Sequence, residues 1–220
     1  MIVLGLTGSI GMGKSTAAAM LRRLGVPVFD ADAFVHQLMA PGGGAVNAVE
    51  EAFPGVRDER GGIDRQRLGQ RVFGDPPARR RLEAVLHPPV RRAEERFVAA
   101  ARGRRERLIV LDIPLLFETG GERRCDAVLV VSAPARLQRE RVLRRPGMTE
   151  SRLQGILRAQ TPDREKRRRA DFVVPTALGR SLTFRHLNRI VAGLRRGERP
   201  RLRRGMKHAG SRRRYRDHRA

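Results

Sequence analysis

Residues 8–15, GSIGMGKS, match the pattern G-x-x-x-x-G-K-[ST] at every defined position, and this stretch decides the fold. Residues 2–4, IVL, form a short apolar run that predicts a strand before the stretch. The apolar residues between 17 and 24 recur on one helix face and predict a helix after it. This order of strand, glycine-rich loop and helix predicts a phosphate loop. The chain is therefore expected to bind a nucleoside triphosphate, but the loop does not say what is done with it.

The residues of this loop have separate predicted roles. The glycines let the backbone curl so that successive N–H groups point inward and cradle an anion, and the start of the helix adds its dipole. Lys14 is expected to reach the β- and γ-phosphates, and the Ser15 hydroxyl is expected to hold Mg²⁺. The predicted nucleotide-binding residues are Gly11, Met12, Gly13, Lys14, Ser15 and Thr16.

Further apolar runs extend the first strand into a sheet. Residues 26–29, VPVF, predict a second strand, and a strand–helix–strand unit implies parallel pairing. The unbroken runs at 108–111 and 127–131 predict strands that are covered on both faces, and 172–174 is a shorter candidate. The expected fold is therefore α/β, of the three-layer phosphate-loop NTPase type with a parallel sheet. Helical patterns at 36–104 and 151–169 predict helices inserted into this core or lying over it.

Composition favours a cytoplasmic protein and raises a question about charge. The chain has 220 residues, one cysteine (Cys125) and no apolar run long enough for a membrane span, and its first residues do not resemble a signal peptide. Its 47 Lys and Arg against 23 Asp and Glu give a net charge of +24, which favours anionic partners. Residues 195–220 carry twelve of those basic residues and are expected to form a disordered tail that associates with RNA non-specifically.

Asp30 and Asp32 are placed at the end of the second predicted strand. Ligands of open α/β sheets bind outside the carboxyl ends of the strands, so a carboxylate there can accept a proton from an attacking hydroxyl. An aspartate that opens residues 33–36 as a helix is equally favoured as an N-cap. The spacing alone leaves both interpretations open. Asp112, at the end of another predicted strand, is a candidate Mg²⁺ ligand.

Several short motifs follow one another along the chain. They are GLTGSIGMGKST at 5–16, DAD at 30–32 with His36, GIDR at 62–65 with Leu68 and VF at 72–73, LHPPV at 86–90, DIPLLFE at 112–118, Arg141 and Arg145 before GMT at 147–149, and AQ at 159–160 with Lys166 and AD at 170–171. This ordered set resembles the dephospho-CoA kinase family, and the resemblance covers about residues 2–190.

The resemblance implies a reaction in which ATP phosphorylates the 3′-hydroxyl of the dephospho-CoA ribose. Asp32 matches the proposed base of the family, and Lys14 with Mg²⁺ would hold the γ-phosphoryl group. Arg141 and Arg145 would close over the phosphates as lid arginines. The residues then expected to contact the acceptor are Thr7, Asp32, His36, His87, Pro114 and Leu115.

The resemblance also implies an organisation of the chain. A kinase domain is expected over 1–194, with a core at 1–35 and 105–194, a helical acceptor-binding region at 36–104, a helical lid at 136–169, and the basic tail at 195–220. Two histidines have structural alternatives, since His87 before a proline can cap or bridge helices and His36 can be an ordinary helix residue. Glu118 is expected to make structural hydrogen bonds near the site.

One segment departs from the family pattern. After AD at 170–171 the family has a strand and then an Asn and a Gly in a turn near the adenine. Here Thr176 stands nearest to the Asn position, with one extra residue before Gly179, so adenine contacts from this turn are in question.

Parts of the sequence also fit two functions other than that of a dephospho-CoA kinase. One is a phosphate-loop kinase for another small hydroxyl or nucleotide acceptor. The second is an ATP-dependent nucleic-acid-binding protein, which the net charge favours. The low aromatic content argues against this second function, because proteins that bind single-stranded nucleic acids stack the bases on aromatic side chains. Aromatic residues make up 4% of this chain, with one Tyr and no Trp.

Overall fold

The computed structural model describes residues 1–198, and the chain divides into two compact units. One unit contains Met1–Phe29 and the described chain from Ala101 onward, and the other is Asp30–Ala100. Of the predicted tail at 195–220, residues 199–220 lie outside the described residues. The predicted acceptor-binding region, 36–104, overlaps the second unit, and its role stays a prediction.

Five strands form one sheet. They are β1 (Ile2–Thr7), β2 (Val28–Asp30), β3 (Leu108–Asp112), β4 (Ala127–Ser132) and β5 (Phe172–Pro175). The sheet order is β2-β3-β1-β4-β5, and β1 pairs in parallel with both β3 and β4. Every residue of β3 and β4 is buried, as expected of strands with covered faces. The predicted parallel α/β sheet is confirmed.

Nine α-helices accompany the strands over residues 1–198. They are α1 (Lys14–Arg23), α2 (Ala31–Met39), α3 (Val46–Ala52), α4 (Arg65–Val72), α5 (Pro76–Gly103), α6 (Ala135–Leu143), α7 (Glu150–Ala159), α8 (Asp163–Arg169) and α9 (Arg180–Arg195). In the first unit, apolar residues of α1 and α9 join those of β1 and β4 in one buried core. None of these helices is long and apolar enough to cross a membrane.

Helix α9 extends the first unit slightly past the predicted boundary at residue 194. Arg195 belongs to the helix, and its guanidinium donates a hydrogen bond of 2.8 Å to the carbonyl oxygen of Gly25. The backbone N–H of Glu198 donates to the carbonyl of Gly193. Residues 195–198 are therefore part of the folded unit rather than of a tail.

The helical stretch predicted at 151–169 is two helices with a break at 160–162. Gln160 and the following Thr161 leave the helix because Pro162 restricts the residue before it to extended backbone and cannot donate a helical hydrogen bond. The backbone of Gln160 is extended, with φ −104° and ψ 144°. This break decides where the Gln160 side chain points.

The second unit has a core of its own. Helices α2 to α5 bury Met39, Val49, Phe53, Leu68 and Leu86 against one another. Helix α5 contains two consecutive prolines, which remove two of its backbone hydrogen bonds. The predicted helical character of this region is confirmed.

Candidate active site

The phosphate loop connects β1 to α1 and depends on two glycines. Gly11 and Gly13 have φ values of 76° and 88°, in the left-handed region that favours glycine. A Cβ on Gly11 would lie 2.6 Å from the Val142 side chain and 2.9 Å from the Gln138 carbonyl oxygen. The loop is thus curled as predicted and is packed tightly against α6.

Lys14 and Asp112 are brought together at the ends of neighbouring strands. Lys14 opens α1 directly after the loop, and its Nζ lies 2.8 Å from Oδ1 of Asp112. Asp112 is the last residue of β3 and is 1% exposed. Strand pairing explains the proximity, because Asp112 lies opposite Leu6 of β1. The predicted phosphate-binding cation and the predicted Mg²⁺ ligand therefore share one site.

Thr7, Pro114 and Leu115 shape the backbone next to this pair. The Thr7 side chain is fully buried, and its hydroxyl donates 2.8 Å to the carbonyl oxygen of Pro114. The carbonyl of Leu115 accepts from the Thr119 hydroxyl at 2.8 Å. Thr7 thus positions the segment after β3, and contact of these residues with the acceptor stays a prediction.

Only one of the two predicted lid arginines lies at the loop. Arg141 donates to the Thr176 hydroxyl at 3.1 Å, to the Thr176 carbonyl at 2.8 Å and to the Gly11 carbonyl at 3.4 Å. Arg145 follows the end of α6 with an exposed side chain, which has no partner among the described residues. Of the two arginines, Arg141 contacts the loop, and the action of either on phosphates stays a prediction.

Thr176 is a link between the lid arginine and the loop. Its hydroxyl accepts from Arg141 and donates to the Met12 carbonyl oxygen at 2.8 Å, and the residue is 9% exposed. The sequence singles out this position only as a departure from the family pattern beside the adenine. Its contact with Met12 spans 164 residues, so no local pattern indicates it.

Replacing Thr176 with Val is expected to lower kcat/KM for ATP about tenfold, because the buried Met12 carbonyl loses its donor and Arg141 loses an acceptor. Thr176→Ser should restore activity. Thr183→Val is the matched control, since Thr183 is also buried and donates to a backbone carbonyl, of Gly179, at 3.0 Å. Steady-state kinetics with thermal melts tests this, and equal activity losses in both Val variants would contradict it.

Asp30 and Asp32 differ in that one of them caps a helix and the other does not. Asp30 is the N-cap of α2, and its Oδ1 accepts from the Ala33 N–H at 3.0 Å. Asp32 lies in the first turn of α2 rather than at the strand end, and its side chain is exposed. The capping role therefore falls to Asp30, which leaves the Asp32 carboxylate outside the cap.

The two histidines are exposed helix residues. His36 lies in the last turn of α2, and His87 lies inside α5. His87 therefore caps no helix, and its structural alternative from the sequence is wrong in that respect. Acceptor contacts by either histidine stay predictions.

A buried ion pair joins α8 to Glu118. Lys166 of α8 is completely buried, and its Nζ lies 2.9 Å from Oε1 of Glu118. The same oxygen accepts from the Thr161 N–H at 2.7 Å. Burial raises the pKa of the Glu118 carboxyl, but the neighbouring Lys166 ammonium and backbone N–H donors, including that of Thr161, outweigh it and hold the pKa below its ordinary value. The expectation of structural hydrogen bonds at Glu118 is confirmed.

A groove of about 670 Å³ opens beside the loop in the first unit. It runs between α1 and the start of α9 and is lined in part by Thr16, Ala19, Met20, Arg180 and Phe184. Its lining combines apolar side chains, such as that of Phe184, with basic ones, such as that of Arg180.

Comparison with known proteins gives this geometry a family. The family model described as dephospho-CoA kinase matches residues 2–178. The chain belongs to the dephospho-CoA kinase family. The family member of Rhodospirillum rubrum is 58% identical over 204 residues, which are 93% of this chain and 96% of that protein. The member of Paramagnetospirillum magneticum is 64% identical over 201 residues, 91% of this chain and 93% of that protein.

A solved structure also matches the fold. The crystal structure of TT1252 from Thermus thermophilus is 37% identical, has a TM-score of 0.75, and covers 87% of this chain and 96% of its own. The expected phosphate-loop kinase fold and the family resemblance are thus both confirmed.

Proposed function

We propose that this chain transfers the γ-phosphoryl group of ATP to the 3′-hydroxyl of the dephospho-CoA ribose, giving CoA and ADP in the last step of CoA biosynthesis. The observation that carries the proposal is a complete phosphate loop, with its lysine paired to a buried carboxylate, in a member of the dephospho-CoA kinase family. A cytoplasmic location stays a prediction.

We place the phosphate chain of ATP on the loop. Backbone N–H groups at the start of α1 bind phosphate oxygens, since four of them lack helical partners and lie at the positive end of the dipole. Lys14 adds a cation that is already fixed 2.8 Å from Asp112. The nucleoside is placed in the groove between α1 and α9, which begins beside Ser15 and Thr16.

Mg²⁺ fits the donors present here. No group of three or more His, Cys, Asp or Glu side chains within 1–198 is arranged to hold a metal ion. Mg²⁺ in kinase sites needs no such group, because it takes one or two protein oxygens together with substrate phosphates and waters. The exposed Ser15 hydroxyl and the Asp112 carboxylate are oxygen donors of this kind. When bound, the ion neutralises charge on the phosphates.

Asp32 is the proposed base. Its exposed carboxylate would take the proton of the 3′-hydroxyl while the hydroxyl oxygen bonds to the γ-phosphorus and the bond from that phosphorus to the ADP oxygen breaks. Arg141 would spread the charge that develops on the transferring group, and its hold on Thr176 fixes the guanidinium for that task.

An acceptor panel tests the proposal and separates it from a kinase for another small hydroxyl. ADP release is measured with ATP and, in turn, dephospho-CoA, AMP, adenosine and shikimate. We expect turnover with dephospho-CoA and with none of the other three acceptors. Mass spectrometry should show a product that is heavier than dephospho-CoA by one phosphoryl group. A higher kcat/KM for any other acceptor would overturn the assignment.

A further inference from the structure

Both main-chain groups of one phosphate-loop residue are held by glutamine side chains. Oε1 of Gln160 accepts from the Ile10 N–H at 3.1 Å, and Nε2 of Gln138 donates to the Ile10 carbonyl oxygen at 2.8 Å. The two glutamines come from different helices, Gln138 from α6 and Gln160 from the end of α7. Ile10 is not among the predicted phosphate-binding residues, so its groups can be held from outside the anion cradle.

Each glutamine is itself fixed by its surroundings. Gln138 is 7% exposed, and a Cβ on Gly11 would lie 2.9 Å from the Gln138 backbone carbonyl oxygen and 3.4 Å from its side-chain Cγ. Gln160 lies at the break between α7 and α8. The next N–H, of Thr161, donates to Glu118 at 2.7 Å, and Glu118 is held by the buried Lys166. The backbone positions from which the two side chains reach the loop are therefore fixed by contacts that do not involve ATP.

The loop needs such support because of its glycines. Gly11 and Gly13 have left-handed backbones, and glycine loses more conformational freedom on ordering than any other residue. A loop that is fixed before the nucleotide arrives avoids that cost during binding.

We infer that Gln138 and Gln160 are positioning residues that hold the phosphate loop in its ATP-binding shape through Ile10. This glutamine clamp rests on the proposed function, because ATP is its ligand. It acts on the donor side alone, so it governs the affinity for ATP and not the affinity for the acceptor.

The opposite roles of the two amides allow a crossed test. Gln160 accepts a hydrogen bond, so Gln160→Glu keeps an acceptor for the Ile10 N–H. Gln138 donates one, so Gln138→Glu loses the donor and places a carboxylate against a carbonyl oxygen. The same chemical change should therefore be tolerated at one position and harmful at the other. Gln160→Met, which removes the acceptor without adding charge, should also be harmful.

The measurements are the Kd of a non-hydrolysable ATP analogue by calorimetry, the KM for each substrate, and the thermal midpoint. We expect Gln138→Glu and Gln160→Met to weaken analogue binding about tenfold, and Gln160→Glu to stay within about threefold of the unmodified chain. The KM for dephospho-CoA should not change. Gln154→Glu is the charge control, because Gln154 is exposed on α7 and its side chain bonds to Glu150 alone within residues 1–198.

Equal effects of the two Glu variants would overturn the clamp, as would a fall in thermal midpoint with unchanged affinity for the analogue. If Gln138→Glu does not fold, the comparison of Gln160→Glu with Gln160→Met decides. If the proposed function fails instead, the variants would still show the expected changes in affinity for the ATP analogue, but dephospho-CoA would gain no phosphoryl group.

Discussion

Replacing Asp32 with Asn is expected to lower kcat for phosphorylation of dephospho-CoA by a factor of about 10² to 10⁴, the usual contribution of a positioned general base. Asn has nearly the same shape as Asp but cannot take the proton of the 3′-hydroxyl. The affinity for ATP should be unchanged, because the substitution alters none of the residues predicted to bind the nucleotide. Single-turnover kinetics with a separate titration of the ATP analogue distinguishes the two effects.

Asp30→Asn is the matched control for this prediction. It removes one negative charge two residues away, and Asn serves as an N-cap as well as Asp does. The control should keep its kcat. Near-normal turnover in Asp32→Asn, or an equal loss in both variants, would remove Asp32 as the base.

Local patterns in the sequence predict the scaffold of the site well. The strand ends that hold Thr7 and Asp112 follow unbroken apolar runs, and such runs are typical of buried parallel strands. The loop itself is predicted because its glycines and lysine are consecutive. These features need only neighbouring residues, and all of them are confirmed.

The side chains that support the loop could not be predicted from local patterns in the sequence. Gln160 contacts Ile10 across 150 positions of sequence, and Thr176 contacts Met12 across 164. A glutamine or a threonine at one position carries no periodic signal of a distant partner. One part was open to local reasoning: Pro162 indicates a helix end before it, and that end is what turns Gln160 toward the loop.

The division of roles between Asp30 and Asp32 has a similar cause. Strand β2 ends at Asp30 and α2 begins at Ala31, and helix boundaries predicted from sequence are uncertain by about two to four residues. Both aspartates fit a cap by composition. The hydrogen bond from the Ala33 N–H selects Asp30, which only coordinates reveal.

Replacing Lys166 with Met is expected to destabilise the fold by about 3–5 kcal/mol, because it leaves the Glu118 carboxylate buried without its cation. The corresponding fall in thermal midpoint is about 10 °C for a chain of this size. The double variant Glu118→Gln with Lys166→Met should recover most of the loss, since the amide oxygen still accepts from the Thr161 N–H. Arg139→Met is the exposed counterpart: Arg139 lies 2.8 Å from Glu150, with both side chains largely in solvent, and its loss should cost under about 1 kcal/mol.

The pH dependence of the same pair gives an independent check. The pKa of Glu118 is below its ordinary value in the folded chain, so the folded state favours the charged carboxylate. Its contribution to stability is therefore fully present above the ordinary glutamate pKa of about 4.3 and disappears as the pH falls through the lowered value. The advantage of the unmodified chain over the double variant should shrink across that acid range in urea titrations. An advantage that instead grew on acidification would show that the carboxyl is protonated in the fold and that Lys166 does not stabilise its charge.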